Sequence, residues 1–60
     1  MAYKITVGWR SNDITGTTTV VIADMPVNVY EWENILLKRA AKANRLEELP
    51  ERTITTLSKC

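Results

Sequence analysis

Two acidic residues invite the first question about chemistry. Asp13 and Asp24 flank a β-branched segment, and a pair of carboxylates can share general acid and base work. Asp13 follows Ser11 and Asn12 in a turn-forming stretch, where aspartate commonly bonds nearby backbone instead. Nucleophilic catalysis of the Ser-His or Cys-His kind has no base to work with, because the chain contains no histidine. Its only cysteine, Cys60, can neither pair in an intrachain disulfide nor complete a tetrahedral zinc site. Gly8 and Gly16 stand alone, so there is no glycine-rich phosphate loop. The sequence therefore predicts a non-enzymatic protein with no catalytic, cofactor-binding or metal site.

The remaining chemistry is recognition. Lys38, Arg39, Lys42 and Arg45 lie in a stretch from Asn34 to Leu46 that contains no acidic residue. On a helix Lys38, Lys42 and Arg45 form a basic ridge, which is either an ordinary solvated face or a docking strip for phosphate or an acidic partner. Like charges four apart cost a helix a few tenths of a kcal/mol, so the ridge gives nothing to local stability. Tyr30, Leu37 and Ala41 form a second, smaller apolar line beside the main one, which is either left for a partner to cover or lets Tyr30 and Leu37 drape over the sheet edge. The candidate partner-binding residues are thus Tyr30, Leu37, Lys38, Lys42 and Arg45. Trp9 beside Arg10 offers a base-stacking alternative, although both tryptophans suit a core.

These residues must be positioned by a few elements. Tyr3, Ile5, Val7 and Trp9 alternate with Lys4, Thr6, Gly8 and Arg10, which predicts a strand over 3–10. A loop of about six residues follows, with Ile14 folding back over the sheet and Gly16 providing positive φ. Residues 17–23 predict a second strand, making a β-hairpin. Val20 and Ile22 point one way and Val21 and Ala23 the other, so this strand asks for cover on both faces.

Asn28 can cap a helix, with Glu31 in a partial capping box and Val27 stapling onto Trp32. The helix is expected from Val29 to Glu47 or Glu48, stopped by Pro50, with Val29, Trp32, Leu36, Ala40 and Ala43 on its buried stripe. The Thr-rich segment 52–58 favours a third strand, although Ile54 and Leu57 are three apart and break strict alternation. The expected fold is α+β: residues 1–60 as a single small two-layer ββαβ domain, with Trp32 a principal core residue.

A net charge of +1 creates no global field toward nucleic acid. The longest unbroken apolar run, Val20 to Ala23, is far too short for a membrane helix, and no export signal is visible. A lone cysteine fits a reducing cytoplasm. A domain of this size buries only about 60% of its unfolded surface, so a partner is a natural source of further stability. The function expected is a small protein–protein interaction protein, self-associating as a homo-oligomer or acting as an adaptor or inhibitor of a larger protein. The alternative is a nucleic-acid-binding module using the basic ridge. No membrane partner and no cofactor are expected.

Overall fold

The computed structural model describes residues 1–60 as a small α+β domain of ββαβ order. Strand β1 (Tyr3–Ser11) is followed by β2 (Ile14–Ile22), helix α1 (Val29–Ala43) and β3 (Glu51–Lys59). All three strands share one antiparallel sheet, in the order β2-β1-β3. The central strand, β1, is the most buried of the three. Ile5, Val7 and Trp9 are buried on its helix-facing side, against Leu36, Leu37 and Ala40 of α1. Val20, Ile22, Trp32 and Leu46 pack around this core as partly buried neighbours.

The hairpin is tighter than the sequence suggests. Ser11 pairs with Ile14, leaving only Asn12 and Asp13 in the turn. Asn12 takes the left-handed φ of 56°, which asparagine tolerates well. Ile14 is thus the first residue of β2 and does not fold back; its side chain is 51% exposed. Gly16 does not supply positive φ either. It lies opposite Trp9, and the indole occupies the space where a Cβ would be. β2 accordingly spans 14–22, not 17–23, and Ala23 lies beyond it.

The third strand forms, and it is interrupted near its start. Gly8 pairs with Ile54 while Trp9 pairs with Arg52, so Thr53 is an extra residue in a β-bulge. On one side of the bulge Leu57 and Thr55 share the helix face with Ile5 and Val7, and on the other Arg52 shares it with Trp9. Ile54 and Thr53 both lie against Gly8 on the opposite face. Ile54 and Leu57 lie in the regular part of the strand, where a spacing of three places them on opposite faces: Leu57 toward the helix and Ile54 outward.

Asn28 caps α1 by accepting a 2.9 Å hydrogen bond from the Tyr30 amide. The staple does not form, because Val27 projects fully into solvent. The helix ends at Ala43, several residues before the expected stop. Leu46 N donates to Ala41 O at 2.9 Å and Arg45 N to Lys42 O at 3.4 Å, with Arg45 at φ 55°. This is the Schellman arrangement, with arginine in the place that glycine usually takes. Asn44 reinforces it by donating from Nδ2 to Ala40 O at 2.8 Å. Leu46 is thereby turned back toward the core.

Candidate functional site

The helix meets the sheet on a face rotated from the expected one. Leu36, Leu37 and Ala40 are buried, Val29 and Trp32 are half-buried, and Ala43 is exposed. At 100° per residue the buried stripe is shifted by roughly 40° toward Leu37. A polar contact to β3 accompanies this shift. Glu33 points to β3, where its carboxylate accepts from the Thr55 hydroxyl and pairs with Arg52 Nε at 3.3 Å. Leu37, one turn after Glu33, lies on the same side of the helix and joins the core with Leu36 and Ala40. Trp32 becomes a rim residue, and the expectation that it anchors the core gives way to Leu36, which is fully buried.

The five candidate partner-binding residues are not gathered into one surface. Leu37 is only 8% exposed and belongs to the core, so it is not available to a partner. Tyr30 is 76% exposed, on the first turn. Lys38 and Lys42 are exposed in the second half of α1, and Arg45 has left the helix altogether in the left-handed residue after the cap. Tyr30 and Lys42 are separated by about 18 Å along the axis at 1.5 Å per residue. The basic ridge is therefore two lysines plus a loop arginine. The base-stacking alternative fails: Trp9 is 5% exposed, and Arg10 turns instead to Glu51 at 3.2 Å.

The carboxylates that could have worked together are also apart. Asp13 lies in the hairpin turn and Asp24 beyond the far end of β2. Nine strand residues, about 30 Å, separate them. Acidic residues and Cys60 form no group of three that could hold a metal ion. No helix is long and apolar enough to cross a membrane.

Two surfaces were not singled out in the sequence. One is a groove where the start of α1 overhangs β3, lined by Val27, Val29, Tyr30, Arg52 and Leu57, with Glu33 and Thr55 in its floor. The other is the sheet itself. Its outer face carries threonines on every strand, with Thr15, Thr17 and Thr19 of β2 beside Thr6 of β1 and Thr56 of β3. Thr6 and Thr19 hydroxyls are 3.1 Å apart. The alternation of threonine with residues facing the helix was the signal available for this face, in Thr15, Thr17 and Thr19. Compared with known proteins, the chain matches no family model, no curated protein sequence and no solved structure.

Proposed function

We propose that this is a small non-enzymatic interaction protein whose work is to bind another protein chain, either a further copy of itself or a larger target that it adapts or inhibits. The observation that supports this best is the distribution of apolar side chains. The core takes in six hydrophobic residues, while ten large ones remain exposed, among them Val27, Tyr30 and Leu57 around the groove. Scattered exposed apolar residues are ordinary on any surface, but a convergent set around a concave site is the usual ground for protein docking. The separation of Asp13 from Asp24 argues against paired-carboxylate catalysis. A reducing cytoplasm is the proposed setting, where the exposed Cys60 thiol stays unpaired.

The test is to place a photo-crosslinking residue at Tyr30 in the native host and to measure nucleic-acid binding of the purified protein beside it. Saturable crosslinking to protein is expected, together with no sub-micromolar affinity for DNA or RNA at physiological salt. Tight nucleic-acid binding with a log–log salt slope of about −3 to −4, as four phosphate contacts would give, overturns the proposal and promotes the basic residues.

A further inference from the structure

We infer that the free edge of β2 is a self-association site, at which the β2 strand of a second copy pairs antiparallel to form a continuous six-stranded sheet. This rests on the interaction-protein proposal and names the partner.

The two sheet edges differ. β3 carries Glu51, Arg52 and Lys59 and is distorted by the bulge at Thr53. Charges and bulges are the usual devices that keep an edge from pairing. β2 reads Ile-Thr-Gly-Thr-Thr-Thr-Val-Val-Ile, nine residues with no charge, no proline and no register break against β1. Every second residue of such an edge directs its amide and carbonyl outward, a row that water can solvate but that an extended strand matches group for group.

The side chains indicate which strand it is. Ile14 and Ile22 stand at the two ends of β2 on the same, helix-facing side, as their pairing with Ser11 and Tyr3 shows. Ile14 is half exposed, beyond the cover of its own helix. A two-fold axis through Thr18 exchanges the two ends. It lays Ile22 of the second copy beside Ile14 and sets Val20 beside Gly16 of the second copy. All nine residues overlap and each side chain stays on its own face. On the outer face the same axis puts Thr17 opposite Thr19 of the second copy, twice, and extends the threonine surface across both sheets. An isologous contact of this kind closes after two copies.

Sedimentation equilibrium at tens of micromolar, with reductant to prevent Cys60 crosslinks, should give twice the 6.8 kDa chain mass. Thr17→Lys with Thr19→Lys places like charges opposite each other at both outer pairs and should weaken the dimer on the order of tenfold. Thr17→Lys with Thr19→Glu makes both pairs complementary and should restore it. Circular dichroism establishes that each variant is folded. In a Cys60→Ser background, Thr18→Cys should form an intermolecular disulfide on oxidation, because opposed residues on the axis lie within bridging distance, whereas Thr15→Cys should not. A monomeric wild type, or a dimer indifferent to the lysine pair and uncrosslinked through Thr18→Cys, overturns the inference. Protein crosslinks from Tyr30 in that same case leave the broader proposal standing, so the two fail separately.

Discussion

The chain has two glycines, both on strands and neither with positive φ, so each is there for space and not for backbone freedom. The structure gives them opposite sensitivities to a single methyl group. A Cβ at Gly16 would lie 2.6 Å from Cζ2 and 3.0 Å from Cε2 of Trp9. The indole is rigid and buried in the core, with β1, β2 and the helix around it, so it has no rotamer to escape into. Overpacking of this sort typically costs about 1–3 kcal/mol. A Cβ at Gly8 would lie 2.8 Å from Thr53 Oγ1 and 2.9 Å from Ile54 Cγ2, on the outer face. Both of those side chains are exposed and can turn about χ1 at about 0.5–1.5 kcal/mol. That cost is offset by the roughly 0.4–1 kcal/mol gained when a strand glycine becomes alanine.

The same gain applies at position 16, so Gly16→Ala should lose about 1–2 kcal/mol and Gly8→Ala should stay within about 1 kcal/mol of wild type. In a domain of this length, about 1–2 kcal/mol corresponds to a fall in Tm of roughly 4–16 °C. Urea melts followed by circular dichroism measure both, and near-ultraviolet dichroism reports displacement of the indole. The mechanism has its own control. Trp9→Phe removes the ring atoms that a Cβ at position 16 would strike, together with the buried indole N–H that has no hydrogen-bond partner. In that background the Gly16→Ala penalty should shrink. A Gly16→Ala protein as stable as wild type, or a penalty unchanged by Trp9→Phe, refutes the packing argument.

Other consequences can be checked with the same melts. Leu36→Ala removes a fully buried side chain and should cost about 2–5 kcal/mol, more than Trp32→Ala at the rim of the core; the reverse order would restore the stripe expected from the sequence. Arg45→Gly should stabilise by about 1 kcal/mol, since only glycine adopts left-handed φ without cost, and a loss of stability would mean that the arginine side chain matters at the cap. Glu33→Ala should cost about 1–2 kcal/mol by leaving the Thr55 hydroxyl without its acceptor. Most of that loss should persist at high salt, because Arg52 is nearly half exposed and its ion pair is worth little.

Elements written in local periodicity were legible. Tyr3 to Arg10 alternate so regularly that β1 needed nothing more, and Asn28 announced the helix start. What escaped is set by tertiary packing. Gly16 looks like a turn residue by type, yet it is chosen by the Trp9 ring opposite. Arg45 hides a helix end because a non-glycine holds the left-handed cap, and Leu46 stabilises it from the core. The helix face was misjudged for a similar reason. Hydrophobicity alone favours a stripe through Trp32 and Ala43, whereas in the fold Glu33 faces Arg52 and Thr55 and Leu37, one turn on, is buried on the same side. A glutamate cannot announce from sequence that it faces a sheet. Of the candidate site, only Tyr30, Lys38, Lys42 and Arg45 stand where a partner could reach them, and they do so at separate places.

The demand for cover follows from this rotation. Read from the sequence, β2 needs shelter on both faces, because Val21 and Ala23 oppose Val20 and Ile22. In the structure Ala23 has left the strand, and Val21 stands alone at the end of a threonine row whose hydroxyls are content in water. With Leu37 buried as well, the helix flank loses most of its second apolar line, and the outer face offers Val21 and Ile54 on different strands among threonines, a poor seam for a face-to-face dimer. The unmet demand moves to the rim: an uncharged nine-residue edge, and an Ile14 side chain that its own helix does not reach. An edge is satisfied by backbone hydrogen bonds, which are blind to side-chain identity, so its specificity must come from what flanks the ladder. Here the flanks are Ile14 and Ile22 on one face and Thr17 and Thr19 on the other, and both pairs are self-complementary about Thr18. That symmetry favours a copy of the same strand over a foreign one.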